Sequence, residues 1–401
     1  MAKNKPAEQP TMPLWGTLTP SQKKVLLSVR ESGGSTREQL GTRLNWPASS
    51  VSREVSPLLL AKVLFSDPPG TRRRNAVLTV SSGLAYAIGI EIGFDQVSAV
   101  IVDFNGQPVG RTRNYRPVRR DGPAFLECVE KVVRELMAQP YAPRVLGIGV
   151  GFADRGLWNP AQAFAQERTA AKADPLIQSL SETFQLPVMC RCDAACGALG
   201  ERRSGRLRNV ENGLFLLYSE GIGLGIIAAG HVVFGDANDA GEIGHMPMDD
   251  EGDYCHCGNI GCLETVAAKW ALLKKARAVV RDGGQVNFRR VQNPNMLQVS
   301  ELCAMAAAGD LLARNMLARA GRALGRALAI SASLFDPVTI ILGGDLADAD
   351  NYAPLISAMR DSFQLLTAHR TPQPIRLEIS LLNGNAIVIG AAELVFMELL
   401  A

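Results

Sequence analysis

The sequence predicts an α/β body of two similar halves, preceded by a small helical module with a β-hairpin wing. Three observations predict it. Basic charge gathers near the start: residues 21–80 hold ten lysines and arginines against four acids, whereas the 401-residue chain as a whole carries only +3. From residue 85 the character changes to short apolar strands joined by glycines and alternating with helical stretches. A strand, glycine turn, strand unit near 87–103 then returns near 213–229, the pattern of two related halves facing a cleft.

The module comes first. Thr19-Pro20-Ser21 starts a helix with Val25, Leu26 and Val29 on one face, and Gly33-Gly34 ends it. Ser35 with Glu38 three residues later has the form of a capping box opening a second helix through Leu40 and Leu44. Asn45-Trp46-Pro47 turns the chain into a third helix from Ala48, which exposes Ser49, Ser50, Ser52 and Arg53 and points Val51 and Val55 inward. Pro57 lacks the amide that an interior helical position needs, so this helix is expected to end near Ser56 or to kink there. Two apolar runs, Val63–Phe65 and Ala76–Val80, flank a Pro/Gly turn bearing Arg72, Arg73 and Arg74. Three helices, a short turn into the third and an arginine-bearing hairpin form a winged helix-turn-helix, whose partner is double-stranded DNA.

The body follows. Strands are expected at 87–93, 97–103 and near Val109, then a helix over Phe125–Ala138 and strands at Val145–Val150 and Val188–Arg191. A helix runs from Asp193 through Glu201. The second half brings strands at Gly213–Tyr218 and Ile226–Ala229 around Glu220–Gly225, a long helix at about Leu311–Leu334 and a strand at Thr339–Leu342. A helix near Tyr352–Leu366, a strand at Ile375–Ser380 and a closing helix from Ala386 complete it. Organisation is therefore a polar, flexible leader over 1–17, the module over 18–80 and the body over 81–401. Within the body the lobes are expected at about 85–205 plus the C-terminal helix, and at 206–385.

Composition excludes some classes. At 47% hydrophobic the chain can bury a large core, but no run of eighteen uncharged apolar residues suggests a membrane helix. The polar start lacks the apolar core of a secretory signal. Eight cysteines in so long a chain make no disulfide framework; thiolate metal ligation in a reducing, cytoplasmic setting fits better. Cys190, Cys192 and Cys196 read as small buried fillers.

The chemistry concentrates at 241–264. Gly241-Glu242-Ile243-Gly244-His245 is followed by Cys255-His256-Cys257-Gly258-Asn259 and Gly261-Cys262-Leu263-Glu264. Three cysteines and one histidine can supply the sulfurs and nitrogen of a closed tetrahedral Zn2+ site. The nitrogen comes from His245 or from His256. Glu242 and Glu264 bracket the ligands.

These residues carry a resemblance. Residues 85–401 resemble the ROK family of sugar kinases and repressors, and the Gly-Glu-Ile-Gly-His…Cys-His-Cys-Gly-Asn-x-Gly-Cys-Leu-Glu run is that family's most specific signature. The resemblance implies a two-lobed actin-like ATPase fold with RNase H-like halves, and one structural Zn2+ on His245, Cys255, Cys257 and Cys262. The fused winged helix resembles the family's transcriptional regulators. By the same resemblance Asp193, Glu242, His245 and Glu264 line a sugar pocket. Relatives carry Asn-Asp-Ala-Asn where this chain has Cys192-Asp193-Ala194-Ala195: the aspartate is present and both asparagines are replaced.

Phosphate loops differ as well. Catalytic relatives have Asp-x-Gly-x-Thr and Gly-Thr-Gly-x-Gly-x-Gly, where this chain reads Glu91, Gly93, Asp95 and Ser219-Glu220-Gly221-Ile222-Gly223-Leu224-Gly225. Acids replace both threonines. Each carboxylate facing a triphosphate costs about 4 kcal/mol per close charge pair at intermediate dielectric. The expectation is a regulator of the repressor kind with no enzymatic activity and no catalytic residues. It reads operator DNA as a homodimer or homotetramer and answers to a sugar or sugar derivative. An active sugar kinase, or a regulator controlled by a protein partner, are the alternatives.

Overall fold

The computed structural model describes residues 17–67, 76–94, 96–110, 113–115, 123–153, 175–281, 293–368 and 374–400. Arg72, Arg73, Arg74 and Asp95 lie outside them. Two compact units emerge, one of residues 1–190 with 388–401 and the other of 191–387.

The first unit opens with the three-helix module. Helix α1 (Pro20–Ser32) begins where the Thr19 hydroxyl accepts from the Gln22 amide and ends at Gly33, whose φ of 69° suits a residue without Cβ. Helix α2 (Arg37–Leu44) is capped by Thr36 with Gln39, one position later than the expected Ser35 and Glu38. The reason is local: the Ser35 backbone is already paired in both directions with Leu78. Helix α3 (Ala48–Leu60) runs through Pro57 instead of stopping at Ser56. Val51, Val55 and Leu58 bury along one face, and that packing carries the helix past one unmade i−4 bond. Strands β1 (Leu64–Asp67) and β2 (Val77–Val80) pair antiparallel with Leu64 opposite Val80 and Asp67 opposite Val77, the expected hairpin.

The body of this unit is a five-stranded sheet in the order β5-β4-β3-β6-β7. Its strands are β3 (Tyr86–Ile92), β4 (Val97–Asp103), β5 (Arg113–Tyr115), β6 (Val145–Phe152) and β7 (Val188–Cys192). The third strand is therefore β5, not a segment at Val109, which makes only a backbone bond to Ile101. Helices α4 (Pro123–Met137) and α5 (Pro175–Phe184) supply Phe125, Val129, Val133, Leu176 and Leu180 to the core against Ile88, Ile90 and Val150. The sequence reading had no helix at α5.

The second unit repeats the pattern in the order β10-β9-β8-β11-β12. The strands are β8 (Gly213–Tyr218), β9 (Ile222–Ala228), β10 (His231–Val232), β11 (Thr339–Gly344) and β12 (Arg376–Ile379). Helix α6 (Asp193–Ser204) packs on β9, so the passage between units falls at 190/191 instead of near 205. Then come α7 (Leu263–Ala267), α8 (Lys269–Arg281), α9 (Val299–Ala307), the 25-residue α10 (Leu311–Phe335) and α11 (Ala353–Thr367). Leu317, Leu324, Leu328, Met359 and Phe363 form the α10/α11 seam of its core.

Helix α12 (Ala386–Leu400) closes the chain. A Cβ on Gly89 would stand 1.8 Å from the Val388 carbonyl oxygen and one on Gly149 1.7 Å from that of Ala391, so the sheet admits the helix only because both are glycine.

Candidate metal and effector site

Every residue of the expected metal and effector sets lies in the second unit. The loop over 241–264 leaves β9 through a backbone bond from the Leu224 amide to the Gly241 carbonyl, 2.8 Å. A single 3₁₀ turn over Ile243–His245 follows. The loop returns where Leu263 N donates to Met246 O at 2.9 Å, and Cys262 stands at the N-cap position of α7. Between them Cys255 N bonds Asn259 O, and Gly258 N bonds Cys255 O. That tight turn brings Cys255 and Cys257 around to Cys262. Gly261 has φ 67°, and a Cβ there would meet Asp249 O at 1.6 Å. Arg319 reaches from α10 to Asp249 at 2.9 Å and ties the loop to the core.

His245 Nδ1 stands 3.6 Å from Cys255 Sγ, and Cys257 Sγ stands 3.6 Å from Cys262 Sγ. The four donor atoms lie within 4.8 Å of one another. A tetrahedral ion with sulfur ligands at about 2.3 Å holds its donors about 3.7 Å apart, so this cluster could hold a metal ion. Burial pushes the Cys262 thiol up to about 12 and raises that of Cys255. At Cys257 burial works upward too, but the Asn259 amide and the neighbouring thiols outweigh it and lower the value. A second set, His245, Cys255, His256 and Glu264, also falls within 4.8 Å. It would leave two adjacent thiols unused.

Glu264 is the best-placed carboxylate. It is 5% exposed, and its Oε1 accepts from the Ile222 amide at 2.9 Å. Oε2 is buried without a hydrogen-bond partner, with His256 Nδ1 at 3.8 Å. An unpaired buried carboxylate oxygen costs about 1–3 kcal/mol, so this oxygen is a strong candidate acceptor. Glu242 is half-exposed, 3.8 Å from His245 Nε2. Asp193 opens α6, its Oδ1 accepting from Ala194 N at 2.7 Å. Ala194 itself sits against β9, since a Cβ on Gly223 would lie 2.8 Å from its own. Cys196 is buried and Cys192 half-buried.

The glycine loop before β9 holds a feature absent from the sequence reading. Glu220 is not a bare charge. Lys269 Nζ lies 3.1 Å from its Oε1 and 2.8 Å from Asp345 Oδ2. Burial opposes the Lys269 charge, but the two carboxylates prevail and hold its value above the ordinary one. Behind it Tyr218 donates its phenol to Ala267 O at 3.0 Å and packs edge-on against Tyr352. A lysine in the run Lys269-Trp270-Ala271-Leu272-Leu273-Lys274-Lys275 looks like solvated helix face, so only folding exposes its role.

On the module, α3 presents Ser49, Ser52 and Arg53 to solvent, while Ser50 is half-buried. Arg53 Nε rests 3.0 Å from Glu54 Oε1, an exposed pair that yields easily to another anion.

Residues 87–398 match the ROK family. The xylose repressor of Bacillus subtilis is 26% identical over 381 residues, 94% of each chain. The DNA-binding transcriptional dual regulator NagC of Escherichia coli is 27% identical over 86% of each. Among solved structures, a ROK family transcriptional regulator described as a homolog of the E. coli MLC protein covers 94% of this chain and 98% of its own, with 24% identity and a TM-score of 0.69. A ROK family glucokinase from Streptomyces griseus, solved with glucose and AMPPNP, covers 77% and 99% with 25% identity and a TM-score of 0.62.

Proposed function

The chain belongs to the ROK family, and from that premise we propose that it is a DNA-binding transcriptional regulator, a repressor, controlled by a sugar or sugar derivative. The observation that carries this is the winged three-helix module at 20–80 in a chain that runs alongside a xylose repressor over 94% of both lengths. Ser49, Ser50, Ser52 and Arg53 of α3 enter the major groove, and Arg72, Arg73 and Arg74 supply phosphate or minor-groove contacts. Two half-sites need two modules, so the working form is a homodimer or homotetramer. Among the described residues no helix is long and apolar enough to cross a membrane, and a cytoplasmic regulator needs none.

His245, Cys255, Cys257 and Cys262 would hold one zinc ion, whose contribution when bound is to clamp the 241–264 loop. Asp193, Glu242 and Glu264 accept hydrogen bonds from the effector's hydroxyls, with the unpaired Glu264 Oε2 as the strongest acceptor, while His245, its Nδ1 toward the thiols, shares a hydrogen bond as donor from Nε2–H. Effector binding biases the chain between two arrangements by no more than its preference for one of them. On this reading the nucleotide site is lost, because Glu220, paired with Lys269, stands where catalytic relatives place the threonine hydroxyl of the phosphate loop.

The test is affinity for the chain's own promoter region in rising salt. A steep fall in affinity supports the reading, and absence of salt-sensitive binding sinks it. Sugar-dependent ATP consumption abolished by Asp193→Asn would establish the kinase alternative. A partner-controlled regulator would show no thermal shift with any sugar.

A further inference from the structure

The module is bolted to the body of the first unit through one buried cation. Arg30, in the last turn of α1, is 4% exposed. Its Nη1 and Nη2 donate to Glu393 Oε1 and Oε2 of α12 at 2.7 and 2.5 Å, and its Nε donates to the Phe104 carbonyl at 2.6 Å. The guanidinium lies 4.7 Å from the ring centres of both Phe104 and Phe396, which themselves meet edge-on at 5.4 Å. The same turn grips the module again, Asn105 Nδ2 donating to Val80 O at 3.1 Å, and holds the chain just beyond it through Phe104 N to Ser82 O at 3.3 Å.

A buried ion pair contributes little net stability against an apolar replacement, but its directional bonds admit one geometry. A bidentate fork, a third bond from Nε and two flanking rings fix Arg30 in both position and rotation. Resting on the regulator reading above, we propose that Arg30 and Glu393 are positioning residues: they set the angle at which α3 is presented to DNA and make the module follow α12. The first two residues of α12 belong to the second unit and the rest to the first, so the chain passes from one unit to the other within this helix.

The experiment uses the full chain. DNA is selected from a random-sequence pool by the wild-type protein, and paired half-sites are then built with spacers altered by one and two base pairs. Wild type should discriminate between best and altered spacing by about tenfold or more, the scale of a misfitted contact. The paired replacement Arg30→Met with Glu393→Met removes the charges at similar volume. Arg30→Lys keeps the charge and loses the fork. Both variants should bind a single half-site as wild type does and lose most of the spacing discrimination. Retained discrimination in the Met pair overturns the proposal. Should the Met pair fail to fold, Arg30→Lys decides alone, and full rescue by lysine overturns it. If no sequence is enriched at all, the regulator reading fails before this one is reached.

Discussion

In the first unit the meander β5-β4-β3 continues through β6 to β7; in the second, β10-β9-β8 continues through β11 to β12. In both, the central strand pairs antiparallel on one side (β3 with β4, β8 with β9) and parallel on the other (β3 with β6, β8 with β11). What differs is the attachment. The first sheet carries the winged module ahead of β3, and the second carries the cysteine loop after β10. One scaffold serves as the mount for two different attachments, and each is secured by its own polar device. The module has the buried Arg30–Glu393 fork; the loop has clustered thiols and the Arg319–Asp249 pair.

The comparison breaks most violently at the sheet–helix contacts. Gly149→Val in the first unit and Gly225→Val in the second each push a Cβ into a helix carbonyl, at 1.7 Å from Ala391 O and 2.2 Å from Ala194 O. Each should lose about 3–5 kcal/mol in urea unfolding. A variant that melts like wild type would show that its unit does not depend on that contact. Next comes the loop. Cys262→Ser should abolish bound zinc by elemental analysis and speed amide exchange over 241–264, while single half-site DNA affinity holds. Lost DNA affinity would mean that the two attachments are not separable.

Glu264→Ala should weaken any sugar found by thermal-shift screening by about tenfold or more, the worth of a charged hydrogen bond, with zinc retained. An unchanged sugar response would move the effector elsewhere. Lys269→Met removes a pair with partly exposed carboxylates and should cost about 1 kcal/mol. Because folding raises the lysine's value, that contribution is complete below the ordinary lysine range of about 10.4 and fades as pH climbs through the folded value. The stability gap between variant and wild type should accordingly narrow in alkali; a gap that widens refutes the pairing. The smallest test is at α2: Thr36→Ala should cost about 1 kcal/mol as a lost cap, measured in the same urea series. If Ser35→Ala costs more through hydroxyl loss, the cap is misassigned.

Local chemistry was legible before folding. Thr19, Gly33 and the valines of α3 announce their helix ends and faces, and the spacing of His245, Cys255, Cys257 and Cys262 announces a donor cluster because the ligands lie within one loop. Pro57 misled, since a single missing amide is outweighed by Val55 and Leu58 packing on either side of it. Ser35 misled because its strand bond to Leu78 comes from a segment more than forty residues away. Arg30 and Glu393 are 363 positions apart and neither sits in a telling pattern. Lys269 is disguised by its lysine-rich neighbours. At Ser35, Arg30 and Lys269 the deciding partner lies far along the chain, where periodicity and spacing carry no information.

That long separation has a consequence for biosynthesis. Arg30 leaves the ribosome long before Glu393 exists; at about 5–20 residues per second the interval is roughly 20–70 s. Until then the guanidinium has no carboxylate to meet and its place on the lobe cannot be closed. A message cut short before the final helix would yield a chain whose DNA-reading end is made but unmoored, so only full-length translation delivers an aligned reader.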